Sequence, residues 1–334
     1  MIHQELLRRA VTQDDQVLQS FVEYLAPPIL NYLASVPALG GSGKPPVIEG
    51  LEIPAGLKIN TAEDYARLTK GGRQEDQSMA THLLNGIFAA MHLAKWLPPD
   101  KQLTELEKRL WILGYICHDY TKIYGIQLSA GEIPLIKQLV ERLGALMNFD
   151  PFLPEWHKYL GDIAFLAQNT QTKEGSNLQT MLFEPKHDLR RLNNVLRILS
   201  SIADILVHIK SPAEIALALE RSTDQNLREK MVTLFGAENT PRFTYHKLTE
   251  VRGLLSNIIN NAVMDAMQAQ GAEPFLFFPN GVVYVLPSDK TITSLVSLPE
   301  NAWNVVRDIL MYGGSKANVE FISDEDDEQG EEDL

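Results

Sequence analysis

Cysteine is almost missing from this chain: Cys117 is the single one among 334 residues. An internal disulfide is impossible, and zinc sites built from paired CxxC motifs are excluded. A reducing compartment is the simplest home for such a chain, so a cytoplasmic location is expected. Long apolar runs are also lacking, and none approaches the ~18 residues of a membrane span. The opening residues, MIHQELLRRAVTQDDQ, are charged and have no apolar centre, unlike a secretory signal. No membrane partner is expected. Positive charge is scarce too, with 30 Lys and Arg against 43 Asp and Glu, a net of −13. Eight of the acids fall between Asp324 and Asp333, and the rest of the chain carries about −5. Such a block reads as a disordered tail or linker over 323–334. The balance argues against a protein that coats DNA, which would be basic, but not against an enzyme that receives nucleic acid from partners. A phosphate loop is missing as well. Gly40-Gly-Ser-Gly-Lys44 has Ala38 where the first glycine belongs and Pro45 where Ser or Thr must follow the lysine. It reads as a surface loop.

Helical periodicity dominates what is present. Residues 1–35 carry an apolar helical pattern interrupted at Pro27 and Pro28. Asp76 is placed to cap a helix bearing Met79, Leu83, Ile87 and Met91, which ends before Pro98. Thr104 and Glu107 make a capping box, and Ser129 and Glu132 make another. Pro154 is expected to begin a helix toward Ala167, residues 187–209 a long one, and Ser211-Pro212 the next. After Pro241 the composition shifts. A helix is expected from about Lys247 to Gln270, then two β-rich runs around Pro279-Asn280-Gly281, a hairpin signal, and a short helix over 302–311. The expected fold is mainly α, with a helical domain over 1–240 and the start of an α+β region over 241–322.

Of the eight histidines, one pairing has motif character. His118-Asp119 ends an apolar helix, His82 lies 36 residues upstream of the dyad, and Asp204 lies 85 residues downstream of Asp119. Imidazole nitrogens suit Mn, Fe, Co, Ni or Zn, and carboxylates add charge and hardness. Four such ligands on three helices leave positions for water and a phosphoryl oxygen, which is the chemistry of metal-assisted phosphoester hydrolysis. Each residue also has a plain reading. His82 could be a core histidine, Asp119 a helix cap, and Asp204 a member of a solvated polar stripe with Arg190, Asn193, Arg197, Ser200, Ser201 and His208. The joint pattern favours the metal site.

In these four positions the chain resembles the HD metal-dependent phosphohydrolases. The dyad runs on as His118-Asp-Tyr-Thr-Lys122, like the His-Asp-x-x-Lys form of the nuclease branch, where Lys122 would contact the scissile phosphate or orient the dyad. Tyr245–Asn261 and Glu273–Tyr284 are similar to the segment after the HD domain in the large subunit of the type I-D CRISPR effector. The resemblance covers roughly 60–290. It implies a helical HD nuclease domain followed by a palm-like region, hydrolysing single-stranded DNA by endo- or exonucleolytic cleavage in antiviral defence. His82, His118, Asp119 and Asp204 would hold Mn, Ni, Co or Fe, with Mg admissible. His118, Asp119 and Lys122 would be the catalytic set. The implied partners are RNA-guided effector subunits and a separate helicase, since neither a Gly-Gly-Asp-Asp palm motif nor helicase motifs occur. Lys70, Arg73, Lys122, Lys173, Arg190 and Arg191 would guide the strand. His157 and His187 are the remaining histidines between the dyad and Asp204, and the polar helix end Ala167–Gln171 is the candidate stand-in for a paired His-His. One ion and two ions both stay open. Two other readings stand beside this one: an HD phosphohydrolase of small nucleotides, and an idle scaffold that docks helicase and effector.

Overall fold

A computed structural model describes residues 15–38, 46–61, 78–170, 180–207 and 225–238, positions 11 and 240, and five strands between 242 and 323. Outside the described residues fall the glycine-rich loop at 40–44, Asp76, the helix expected from Ser211, residues 252–270 and 302–311, and the acidic block from Asp324. The described residues are mostly helical. Among them no helix is long and apolar enough to cross a membrane. The chain divides into two compact units, Met1–Met91 with Lys101–Asp204, and His92–Asp100 with Ile205–Leu334. This division falls after Asp204, whereas the composition shift lies near 240. Composition registers where strands begin, and compactness registers where the chain changes neighbours.

In the first unit, α1 (Gln16–Tyr24) is capped by Asp15, whose carboxylate accepts from the Leu18 amide. The helix α2 (Ala26–Leu33) starts with its prolines in the first turn, where the missing N–H costs nothing. The helix α3 spans Met79–Ala94. The helix α4 (Glu105–Cys117) opens on the expected capping box: Thr104 Oγ1 accepts from the Glu107 amide, and Glu107 reaches back to the Thr104 amide. A short helix α5 (Tyr120–Tyr124) follows at once and stops at Gly125, which adopts the left-handed conformation at φ 64°. The Ser129 box is present too, but it opens a 3₁₀ turn over Ala130–Leu135 before α6 (Ile136–Leu146). The helix expected from Pro154 becomes a 3₁₀ turn at Trp156–Tyr159 followed by α7 (Leu160–Asn169).

The core of this unit is the packing of α4 against α7. Gly114 allows the approach, since a Cβ there would lie 2.6 Å from the Leu166 Cβ. Leu110, Trp111, Ile112, Leu113 and Ile116 of α4 are buried with Ile163, Ala164, Phe165 and Leu166 of α7. The long helix expected over 187–209 is α9, which follows the short helix α8 (Thr180–Phe183). It begins at Leu189–Arg191, passes through a π turn at Leu192–Leu196 and continues as Arg197–Val207. The Leu196 carbonyl in that turn accepts from Trp111 Nε1 at 3.1 Å and from Ser200 Oγ at 3.1 Å, tying α9 to α4.

A two-stranded antiparallel ladder of the first unit pairs β1 (Lys58–Ile59) with β2 (Ile126–Gln127). The second unit holds α10 (Gln225–Phe235) and a five-stranded sheet ordered β4-β5-β6-β3-β7. Its strands are β3 (Arg242–Val251), β4 (Glu273–Phe278), β5 (Gly281–Leu286), β6 (Thr291–Leu295) and β7 (Val319–Ser323). The expected hairpin is there, with Phe278 opposite Gly281 and Phe277 opposite Val282. The helix expected from Lys247 is corrected over its first residues, which belong to β3. Phe243 and Tyr245 alternate with Thr244 and His246, and the strand pairs with β6 over Arg242–His246 and with β7 from His246 to Val251. It runs parallel to β6 (Phe243 with Ile292) and antiparallel to β7 (Lys247 with Ile322). The antiparallel ladder to β7 outweighs a local helical pattern of a few residues.

Candidate metal centre

Three helices of the first unit bring the predicted set together. His82 lies in the first turn of α3, His118 caps the end of α4, and Asp119 follows it. Asp204 lies near the end of α9. All four are buried, His82 completely. His82 Nε2 is 3.3 Å from His118 Nε2, 3.4 Å from Asp119 Oδ2 and 3.4 Å from Asp204 Oδ1. His118 Nε2 is 3.5 Å from Asp119 Oδ2 and 3.3 Å from Asp204 Oδ1. Two ligand atoms each about 2.1 Å from one ion stand about 3.0 Å apart at a right angle and about 3.4 Å apart at the tetrahedral angle. His82, His118 and Asp119 therefore stand close enough together to hold one cation, and Asp204 Oδ1 lies 3.3–3.4 Å from both imidazoles.

The chemistry of the donors fits as well. His118 Nδ1 hydrogen-bonds the Tyr115 carbonyl, which can only accept, so Nδ1 carries the proton and a neutral His118 turns a lone pair inward from Nε2. That lone pair faces two carboxylate oxygens and a second imidazole nitrogen. A lone pair set among carboxylate oxygens and a second imidazole is the donor set that suits a divalent cation. The proton affinities show the same demand. Burial pushes His118 down, but the Asp119 charge and the Asp204 hydrogen bond outweigh it, and its pKa rises. Burial prevails at His82, whose pKa falls despite Asp204 and Asp119. Burial pushes Asp119 up, yet His118, Lys122 and His82 hold its carboxyl below the usual range.

The plain readings of Asp119 and of the polar stripe do not hold. Asp119 stands at the N-cap of α5, but its side chain makes no capping bond. It is held instead by Lys122, whose Nζ lies 2.9 Å from Oδ1 and 3.0 Å from Oδ2. Among the described residues of the stripe on α9, Arg197, Ser200, Ser201 and Asp204 are buried, Asn193 is half-buried and Arg190 is exposed, while His208 lies outside them. His157 does not join the cluster and packs on Trp156 with ring centroids 3.9 Å apart. His187 is turned to Glu107 at 3.1 Å. Arg191 is no free guide for a strand, because its Nε lies 2.7 Å from Glu107 Oε1. Lys70, Arg73 and Lys173 lie outside the described residues.

Two features went unread in the sequence. Tyr115 stacks on His118 at 4.4 Å and on Trp111 at 4.9 Å, forming a pillar along α4. Gly86 makes room for it, since a Cβ there would stand 2.1 Å from the Tyr115 hydroxyl oxygen. The signal was the spacing Trp111, Tyr115, His118 on one helical face. The second feature is a cavity of about 230 Å³ that opens on His118 and Asp119 and is walled by Lys122, Tyr120, Thr121 and Gln168. Gln168 belongs to the polar helix end noted above, and the Tyr120 hydroxyl hydrogen-bonds its side-chain oxygen. A scan against models of protein families finds none that matches the chain, and a search of curated proteins finds no match.

Proposed function

We propose that the chain is a metal-dependent DNA nuclease of the HD type, hydrolysing phosphodiesters of single-stranded DNA. The observation that carries this reading is the buried cluster of His82, His118, Asp119 and Asp204, with five donor spacings between 3.3 and 3.5 Å. These four residues would hold a divalent transition metal. Bound to such donors, a divalent cation supplies Lewis-acid polarisation of a phosphoryl oxygen and a lowered pKa for water. The protein's own part is orientation and charge. The Tyr115 carbonyl fixes the tautomer of His118, and the Tyr115 ring fixes its plane. Lys122 holds Asp119 with two of its protons and keeps a third for a phosphate oxygen in the adjoining cavity.

The cavity supports a strand over a free nucleotide. Whole-ligand pockets usually measure roughly 300–1,000 Å³ and are mostly apolar. This one holds about 230 Å³ with polar walls, enough for a sugar and its phosphate, leaving the base outside. A single flexible strand can offer a phosphodiester to such a recess more easily than a stiff duplex. In this reading an RNA-guided complex of the type I-D CRISPR kind delivers the strand and a separate helicase opens the duplex. The acidic balance of the chain and its lack of helicase motifs support that division of labour.

The test uses the purified full chain. Elemental analysis is expected to find stoichiometric transition metal, and manganese is expected to support cleavage of single-stranded DNA but not of a panel of mononucleotides and cyclic nucleotides. Turnover of the panel without DNA cleavage would refute the nuclease reading. A metal-free chain that neither binds manganese nor cleaves would reduce it to a scaffold.

A further inference from the structure

The cavity beside the cluster has an unusual charge account. The two carboxylates of Asp119 and Asp204 cancel a divalent cation held with the two neutral imidazoles. Lys122, 2.9 Å from Asp119, then leaves the recess with one net positive charge. Among the described residues, the group facing it is not a second lysine or arginine but Gln168, on the last turn of α7. The oxygen of this amide is taken by the Tyr120 hydroxyl, so the amide has its two N–H donors left to offer. Tyr120 is itself buried, which fixes the pair. Around Gln168 the helix ends, and a helix C-terminus carries partial negative charge. Its last carbonyls are engaged by side chains: Asn169 Nδ2 donates to the Phe165 oxygen at 2.8 Å and Thr170 Oγ1 to the Leu166 oxygen at 2.9 Å. This wall is neutral to slightly negative and presents donors without charge.

We propose that Gln168, held by Tyr120, is the specificity-determining group of this recess, donating to a non-bridging phosphate oxygen and selecting singly charged phosphodiesters over doubly charged phosphomonoesters. The inference rests on the nuclease reading and names its substrate class. A diester carries one negative charge and meets one net positive charge. A monoester above pH ~6 carries about two, and its second charge would face a neutral amide and a helix C-terminus. The same residue lets a cut strand leave, because the new terminal phosphate is a monoester.

The experiment measures binding rather than turnover. The manganese-loaded full chain is titrated with dimethyl phosphate and with methyl phosphate at about pH 8, reading phosphorus NMR relaxation by the bound manganese. The wild type is expected to bind the diester at least about fivefold more tightly. Gln168→Leu is expected to weaken diester binding about tenfold, the loss of one hydrogen bond to a charged oxygen, with manganese affinity unchanged. Gln168→Arg is expected to reverse the preference by adding a second positive charge. A wild type that prefers the monoester, or a Gln168→Leu variant that binds both esters as before, overturns the proposal. DNA cleavage assayed on the same preparations separates the two claims. Selective binding without cleavage sinks the nuclease reading alone, and cleavage indifferent to Gln168 sinks this inference alone.

Discussion

Helix α4 carries a buried polar cluster at each end, and the two are built on opposite plans. At its start Glu107, 2 % exposed, accepts from Arg191 Nε at 2.7 Å, Arg191 Nη2 at 2.9 Å, His187 Nε2 at 3.1 Å and the Thr104 amide at 2.8 Å. Every contact sets a donor against an acceptor. At its end the Nε2 atoms of His118 and His82 converge on each other and on the carboxylate oxygens of Asp119 and Asp204 at 3.3–3.5 Å, and Lys122 pairs with Asp119. The first cluster is complete without any ligand and serves the fold. The second gathers donors that could hold a cation. Burial and conventional donor types are common to both, so neither property by itself distinguishes a site from a structural network. The balance of donors and acceptors does.

The sharpest way to break this comparison is to remove one member from each cluster and read activity against stability. Asp119→Ala and His118→Ala are expected to lower manganese-dependent cleavage of single-stranded DNA by at least about a thousand-fold. Their helical circular dichroism should stay intact, because the metal-free cluster loses a repulsive contact along with the ligand. Full activity in either variant would dismantle the site. Glu107→Gln should do the reverse. Leaving Arg191 without its carboxylate is expected to cost about 2–3 kcal/mol, with metal bound or removed, while cleavage per folded molecule stays near that of the wild type. A Glu107→Gln protein that melts at the wild-type temperature would mean that the first cluster contributes nothing to the fold.

Acid sharpens the same contrast. Burial would push Glu107 up, but hydrogen bonds from Arg191, Thr104 and His187 bring its pKa down from 4.5 to about 2. A carboxyl with a depressed folded-state pKa stabilises above its unfolded value and loses that stabilisation as pH falls through the folded one. The gap in melting temperature between wild type and Glu107→Gln should therefore be full above pH 4.5 and shrink steadily toward about pH 2. A gap that persists below that pH would assign it to packing. Chelation probes the other end of the helix. At a free manganese concentration a hundred times the dissociation constant, bound metal adds about 2.7 kcal/mol, and EDTA should remove it. In His82→Ala the same chelation should leave the melting temperature where it was.

The elements that position the centre were legible where local chemistry decides them. Thr104 with Glu107, Ser129 with Glu132 and the Phe278–Gly281 hairpin formed as read, since caps and tight turns are specified within a few residues. The four cluster residues were legible through their order along the chain, and the helices do bring them together. Partnership over long range was not legible. Residues 247–251 were read as helix because their strand partner, β7, lies about seventy residues downstream. Arg191 looked like a free cation because its partner, Glu107, lies 84 residues upstream, and the same Glu107 diverts His187. The stripe at Arg197, Ser200 and Ser201 looked solvated because polar residues at helical spacing carry no mark of whether water or protein faces them.

The smallest expected effect concerns the pillar between the two clusters. The Tyr115 ring is fully buried between Trp111 and His118, yet its hydroxyl has no hydrogen-bond partner among the described residues. Burial, with the charges of Asp204 and Asp119, holds its proton well above the ordinary phenol range, so the group stays neutral and cannot serve as an anionic ligand. An unsatisfied buried hydroxyl costs on the order of 1–3 kcal/mol, while the ring keeps all its stacking without it. Tyr115→Phe is expected to raise stability by up to about 1 kcal/mol, part of the gain being lost to the small void left against Gly86. Manganese affinity should not change, because the His118 Nδ1 proton is held by the backbone carbonyl of residue 115, which the substitution leaves in place. A variant that melts lower, or that binds manganese several-fold more weakly, would show the hydroxyl engaged with the cluster and make α4 a ligand-bearing helix along one more turn.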